Sequence, residues 1–105
     1  MPSVTAPEIE QETQDQTTPL YNVVLLDDDD HTYEYVVEML VSLFAYSDSA
    51  AWNRAVDVDT NGRTIVVTCE LPVAEFGRDQ IHAYGADWRM PWCKGSMSAV
   101  IEPSC

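Results

Sequence analysis

Residues 20–30 read LYNVVLLDDDD, a short apolar and β-branched run that ends in four consecutive aspartates. Such a run is typical of a strand that is buried on at least one face, and the aspartates end it. Thr32 then has the character of a helix N-cap, with Glu34 favourably placed in the first turn. Apolar residues recur behind it with helical spacing, which predicts a helix over residues 32–45.

Two further helices and two further strands are predicted downstream. In order, they are a helix from Ser47 or Asp48 to the Asn61-Gly62 pair, a strand over 63–71, a helix from Pro72 to Gly85 and a strand over 96–102. The order β-α-α-β-α-β predicts an α+β fold, in which helices pack on one face of a three-stranded sheet. This arrangement buries every apolar stripe.

Three side-chain arrangements can be predicted within these elements. The strand over 63–71 alternates strictly, with Ile65, Val67, Cys69 and Leu71 on one face. The third helix is expected to turn Val73, Gly77, Ile81 and Tyr84 inward, and a glycine in its interior indicates a close approach to the sheet. Trp88 and Trp92, in the loop before the last strand, are either exposed contact residues or, as we expect, packed locally over the sheet edge.

The charge balance of the chain limits its partners. The chain has 105 residues, enough for one domain, and a net charge of −13 from 18 acidic and 5 basic residues. Because phosphate binding needs cations, this balance argues against nucleic acids and anionic membranes as partners. An amine or a basic protein is a better match for the negative electrostatic field of the chain. The first residues lack a signal-peptide pattern and no apolar run approaches the ~18 residues of a membrane span, so we expect a cytoplasmic protein.

Residues 1–19 predict a flexible acidic extension, and residues 20–105 then form the folded core. The extension is rich in Glu, Gln, Thr and Pro and contains no aromatic residue, so it is either solvated or an arm that engages a partner. The three cysteines, Cys69, Cys93 and Cys105, form no CxxC pair and show no zinc-type spacing with the two histidines. A reduced protein without a disulfide framework, metal or other cofactor is expected.

No catalytic motif or phosphate-binding loop occurs, so we expect a protein that is not an enzyme. The aspartates at 27–30 are the most unusual local feature, and their contiguity does not match the alternating oxygens of an EF-hand. They form either a solvated acidic turn or a site for an amine, because carboxylates accept charge-assisted hydrogen bonds from an ammonium group. A small metal- or polyamine-binding protein is therefore one hypothesis.

Five stretches of the sequence resemble the ClpS adaptor family, in order and with compatible spacing. They are YNVVLLDDDD at 21–30, EYVV at 34–37, Gly62-Arg63, Ala74-Glu75 and GSMSAVIEP at 95–103. That family opens with a strand of the form Tyr-x-Val-x-Leu-x-Asn-Asp-Asp, followed by a helix that contains Glu-Phe-Val-Val. The resemblance covers about residues 20–103 and implies a small α/β domain with a mobile N-terminal extension.

The resemblance implies a monomeric adaptor that binds the N-domain of a ClpA- or ClpC-type unfoldase. It would deliver substrate proteins whose first residue is large and hydrophobic and carries a free α-amine, the signal called an N-degron. The implied amine-binding residues are Asp27, Asp28, Asp29, His31 and Asp59, and the implied hydrophobic pocket is Tyr33, Val36, Ala55, Val58 and Met97. Pro72 and Arg78 lie near family positions that contact the unfoldase.

The sequence departs from the family pattern at the implied site. Among the polar positions, Asp27 stands where Asn is usual, and Asp59 stands where a His is usual. At the start of the first helix, His31-Thr32 replaces a typical Thr-Pro pair, and Tyr33 replaces a Met that commonly gates the pocket. In the pocket wall, Ala55 stands where a Met is frequent. Asp59 still accepts hydrogen bonds, so amine binding is expected to persist. If Tyr33 fills the space left by Ala55, the alternative is a domain that docks on the unfoldase with altered or lost degron specificity.

Overall fold

The structure is a computed structural model that describes residues 18–104. Most of the predicted extension over residues 1–19 lies outside the described residues, as does Cys105. The elements are β1 (Leu20–Leu26), α1 (Tyr33–Phe44), α2 (Asp48–Asn61), β2 (Arg63–Glu70), α3 (Leu71–His82) and β3 (Ala99–Pro103). The predicted order and fold class are confirmed. None of the helices in the described part of the chain has the length and apolarity to span a membrane.

β1 is the central strand of the sheet, which has the order β2-β1-β3 with both pairs antiparallel. The register of β1 and β2 shifts, because Val23 pairs with Val67 whereas Val24 pairs with Ile65. Val66 is therefore the extra residue of a β-bulge, and the buried positions of the strand change sides there. The predicted strict alternation is wrong, since Val66 is buried and Ile65 is 42% exposed.

Local sequence signals set the ends of α1 and α2. Thr32 and Ser47 are the N-caps, and each side-chain oxygen accepts from the backbone N–H three residues later. Gly62 ends α2 with a φ of 85°, in the left-handed region that glycine adopts without steric cost. These predicted ends are confirmed, and they place Tyr33 at the start of α1 and Asp59 near the end of α2.

α3 packs on the rest of the core through a stripe that includes small residues. Ala74, Gly77 and Ile81 are its buried positions. A Cβ added at Gly77 would lie 3.1 Å from the ring of Phe44, so the predicted close approach is to the end of α1 as well as to the sheet. The prediction that Val73 faces inward is wrong, because Val73 is 58% exposed.

The connection between α3 and β3, residues 83–98, is anchored by the buried side chain of Asp87. Trp88 and Trp92 lie on its outer surface, 79% and 58% exposed, so the prediction that they pack over the sheet edge is wrong. The guanidinium group of Arg89 lies over the Trp88 ring, 4.5 Å from its centroid. This connection passes beside the end of β1, where the site is built.

Candidate functional site

The candidate site lies where the end of β1 meets the segments that precede β2 and β3. The N–H of Asp27 donates to the carbonyl of Gly62 at 3.0 Å, and the N–H of Leu26 donates to the carbonyl of Ser98 at 3.0 Å. These two bonds hold the aspartates between the C-terminal end of α2 and the segment that carries Met97. We call Asp27, Asp28, Asp29 and Asp59 the acidic mouth.

Tyr33, Trp52 and Asp59 form one edge of the acidic mouth. The hydroxyl of Tyr33 donates to the carboxylate of Asp59. The rings of Tyr33 and Trp52 pack edge to face, with centroids 5.2 Å apart. The hydrogen bond to Asp59 is the main cause that raises the pKa of Tyr33, with burial and the nearby negative charges adding to it. The Tyr33 hydroxyl therefore remains a donor at neutral pH.

Negative charge is concentrated at Asp27. Partial burial raises the pKa of its carboxyl group, and a hydrogen bond from the backbone of Asp28 offsets part of that effect. The charges of Asp59, Asp28 and Asp29 raise the pKa of Asp27 further. A cation bound here would relieve the repulsion among these carboxylates. An ammonium group suits the site, because it can donate to several carboxylate oxygens at once.

Asp28 and His31 hold the loop between β1 and α1. Oδ1 of Asp28 accepts from the N–H of Asp30 at 2.9 Å and contacts Nδ1 of His31 at 2.7 Å. Nε2 of His31 lies 2.7 Å from the carbonyl oxygen of Gly95, and the His31 side chain is 4% exposed. Both ring nitrogens are therefore occupied. His31 positions Asp28 in this geometry, rather than offering a free nitrogen to an α-amine as the family resemblance implied.

Asp87 fixes the start of α1 from the other side. One carboxylate oxygen accepts from the N–H and the hydroxyl of Thr32, at 2.7 and 2.8 Å. The other accepts from the N–H and the guanidinium of Arg89, at 3.1 and 3.2 Å. Burial alone would raise the pKa of Asp87, but these hydrogen bonds outweigh it and hold the pKa below its usual value. Asp87 was not predicted from the sequence, because no periodicity marks a buried acid in a loop.

The five residues of the implied hydrophobic pocket belong to the hydrophobic core cluster or pack against it, and Tyr33 connects this cluster to the acidic mouth through its hydrogen bond to Asp59. Val36, Ala55, Val58 and Met97 are 0–4% exposed, and Tyr33 is partly buried against the same cluster. The apolar cluster is thus closed in this structure. A bulky side chain can enter it only if Tyr33 or a neighbouring residue moves.

The two residues implied to contact an unfoldase both lie on α3. Pro72 is exposed at the second position of the helix, one position later than predicted. Arg78 pairs with Asp79 at 3.1 Å on the surface. Val73 and Phe76, which are 58% and 63% exposed, follow Pro72 on the same helix and were not recognised from the sequence as surface residues.

The described residues give no support to the hypothesis of a metal-binding protein. Within residues 18–104, no group of three or more His, Cys, Asp or Glu side chains is placed to hold a metal ion. Cys69 and Cys93 are free thiols. An organic cation such as an amine is the ligand that the acidic mouth suits.

Comparison with known proteins identifies the family. The family model described as ATP-dependent Clp protease adaptor protein ClpS matches residues 16–91. The chain belongs to the ClpS family. The ClpS adapter of Synechococcus elongatus is 32% identical over 95 residues, which cover 90% of this chain and 88% of that protein. The ClpS adapter of Acetivibrio thermocellus is 29% identical over 84 residues, which cover 80% of each chain.

A solved ClpS structure shares the fold. The structure of Agrobacterium tumefaciens ClpS2 bound to L-phenylalaninamide matches with a TM-score of 0.70 and 27% identity, over 82% of this chain and 98% of that one. The resemblance inferred from the sequence is therefore confirmed. The chain is an adaptor of the ATP-dependent Clp protease, and membership of a family of adaptors is consistent with the prediction that it is not an enzyme.

Proposed function

We propose that the acidic mouth binds the free α-amine of a substrate whose first residue is large and hydrophobic. The observation that carries the proposal is Tyr33, which hydrogen-bonds to Asp59 of the acidic mouth and packs against the apolar cluster, so acceptors for an ammonium group adjoin apolar residues. Asp27 and Asp59 supply acceptors for the ammonium group, while Val36 and Met97 belong to the apolar cluster. L-phenylalaninamide, the ligand of the Agrobacterium ClpS2 structure, combines a free amine with a bulky apolar side chain.

The remaining mouth residues have supporting roles in this proposal. Asp28 is held by His31 and keeps the turn in place, and its second oxygen is available for the ammonium group. Asp29 is exposed and adds to the negative field. Tyr33 covers the apolar cluster and is tied to Asp59, so it acts as the gate.

Delivery to the protease requires a second surface, and we assign it to α3. Pro72, Val73 and Phe76 give this helix an exposed apolar stretch, which is a common feature of docking surfaces. Arg78 adds a positive charge to a helix of an otherwise acidic chain. The partner in this proposal is the N-domain of a ClpA- or ClpC-type unfoldase, bound by a monomeric adaptor in the cytoplasm.

A panel of peptides that differ only in the first residue tests the proposal. We expect peptides that begin with Leu, Phe, Tyr or Trp to bind the full chain, as measured by fluorescence anisotropy of a label at the C-terminal end. Peptides that begin with Gly or Asp should bind more than about tenfold more weakly, because burying a large apolar side chain contributes about 1.5–3 kcal/mol. Affinity that does not depend on the first residue would contradict a degron site.

Replacing Tyr33 with alanine should change which first residues are accepted. Truncation opens space in front of Ala55, so peptides that begin with Ile or Val should gain relative to Leu by about fourfold, the value of one buried CH₂ group. Tyr33→Phe is the matched control, because it loses the hydrogen bond to Asp59 but keeps the ring. Competition anisotropy gives the order of preference. If Tyr33→Ala and Tyr33→Phe leave the same order, Tyr33 is not the gate.

One observation favours a second candidate function, an adaptor that docks on the unfoldase with lost or altered degron specificity. The wall residues are 0–4% exposed and Tyr33 is packed against them, so the cluster is closed without a ligand. If degron binding is lost, no peptide of the panel binds the unmodified chain, and if it is altered, peptides that begin with Leu, Phe, Tyr or Trp are not the preferred ones; in both cases the unfoldase N-domain still binds.

A further inference from the structure

A cysteine, a histidine and an aspartate lie in contact at the back of the acidic mouth. Sγ of Cys93 is 3.3 Å from Nε2 of His31, and Nδ1 of the same ring is 2.7 Å from Oδ1 of Asp28. The N–H of Asp87 also donates to the sulfur, at 3.2 Å. A nucleophile within reach of an imidazole that is oriented by a third group is the arrangement that activates thiols in proteins.

Both ring nitrogens of His31 are held by contacts with other residues. Nδ1 faces the carboxylate of Asp28, and Nε2 lies 2.7 Å from the carbonyl oxygen of Gly95. Nε2 also lies 3.3 Å from the sulfur of Cys93, so this imidazole, oriented by Asp28 and Gly95, is within reach of the thiol.

We propose that Cys93 is a reactive thiol that exchanges with low-molecular-weight disulfides. Its S–H, which donates to the carbonyl of Gly95 at 3.3 Å, loses its proton to water, and the thiolate is held by the imidazole of His31 and the N–H of Asp87. The thiolate attacks one sulfur of the small disulfide, so a new S–S bond forms as the old one breaks. The departing thiolate takes up the proton. The Cys93 sulfur is oxidised to a mixed disulfide, and the small disulfide is reduced.

The surroundings of Cys93 permit this reaction. The residue is half-buried rather than enclosed, which leaves a route for a small reagent. The carboxylate of Asp28 contacts His31, and that of Asp87 accepts hydrogen bonds from Thr32 and Arg89. Cys69 offers a comparison within the same chain, because burial, together with the charge of Glu70, raises the pKa of its thiol.

The experiment uses the full chain with Cys105→Ser, so that Cys69 and Cys93 are the thiols that remain. The probe is 2,2′-dithiodipyridine, which is neutral and is therefore not repelled by the acidic protein. Mass spectrometry of peptides from quenched samples gives the rate at each cysteine. We expect Cys93 to react about tenfold faster than Cys69, and faster in the folded chain than in urea. A Cys93 rate in the folded chain equal to or below its rate in urea would overturn the proposal.

A variant separates activation from simple exposure. His31→Asn removes the imidazole, and we expect it to slow the reaction of Cys93 by about tenfold while the rate at Cys69 stays unchanged. A folded variant with an unchanged Cys93 rate would overturn the proposal. If circular dichroism shows that His31→Asn is unfolded, the proposal is tested instead by the reaction rate of Cys93 in the folded parent chain divided by its rate in urea. No degron peptide is involved, so the outcome is independent of the proposed function.

Discussion

Replacement of Asp87 by alanine should lower the free energy of unfolding by about 3 kcal/mol, and the melting temperature by about 15 °C. The change removes the acceptor for the N–H and the hydroxyl of Thr32, and it separates Arg89 from its buried partner. Each donor left without a partner costs about 1–3 kcal/mol when it is shielded from water. Urea and thermal unfolding followed by far-UV circular dichroism measure the loss.

Asp79→Ala is the matched control for this prediction. Asp79 is an exposed acid whose ion pair with Arg78 lies on the surface, so we expect a loss within about 0.5 kcal/mol. Both variants remove one negative charge from an acidic chain, and this comparison separates the buried network from net charge. Equal losses for the two variants would show that the Asp87 network does not hold the loop.

The pH dependence of the stability lost in Asp87→Ala gives a second measurement. The pKa of Asp87 is lower in the folded chain than its unfolded value of about 3.9, so the stabilisation is fully present above that pH. It is lost as the pH falls through the folded pKa, where the carboxylate takes up a proton. The difference in stability between the parent chain and Asp87→Ala should therefore shrink only below about pH 4.

Most of the fold could be predicted because its signals act over short stretches of sequence. Thr32 and Ser47 each cap the turn that follows them, and Gly62 reverses the chain where it stands. The apolar run of β1 marks a strand that is buried between two others. Signals of this kind do not depend on what packs against them, so the sequence is sufficient to place the elements.

The errors share a different cause, since each depends on contacts between distant segments. The β-bulge at Val66 is set by pairing with β1, and it reverses which side chains of β2 are buried. Val73 appeared apolar enough for the core, but the stripe of Ala74, Gly77 and Ile81 is the one that packs inward. The spacing of apolar residues alone cannot distinguish two neighbouring faces of a helix when both faces carry apolar residues.

The residues of the candidate site also differ in whether the sequence alone could indicate them. The family resemblance supplied Asp27, Asp59 and the apolar residues, and the fold brings these residues to one end of the sheet. The contacts of His31 with Gly95 and of Asp87 with Thr32 cross from one loop to another. No spacing in the sequence marks them. The proposed binding residues thus come from the resemblance, whereas the residues that hold the loops around them required the structure.

Acetylation of the α-amine of a Leu-initiated peptide should abolish its binding to the chain. The acidic mouth concentrates carboxylates around Asp27, and partial burial and repulsion already raise the pKa of this group. An ammonium group relieves that repulsion, whereas an acetamide carries no charge and offers a single N–H. Asp27 and Asp59 are exposed in the free chain, and the bound peptide would cover them; loss of an ammonium charge that is buried in this way costs about 2–5 kcal/mol, which is more than a tenfold loss of affinity. Fluorescence anisotropy with matched free and acetylated peptides measures this loss of affinity.

Two variants with the same change in net charge show where the amine sits. Asp59→Asn removes a carboxylate from the acidic mouth, whereas Asp48→Asn removes an exposed one from the opposite end of α2. We expect Asp59→Asn to weaken binding of the free peptide severalfold and Asp48→Asn to leave its affinity nearly unchanged. The acetylated peptide should not distinguish the two variants, because it lacks the charge that Asp59 attracts. If both variants weaken the free peptide equally, the attraction belongs to the overall charge of −13 and not to a site.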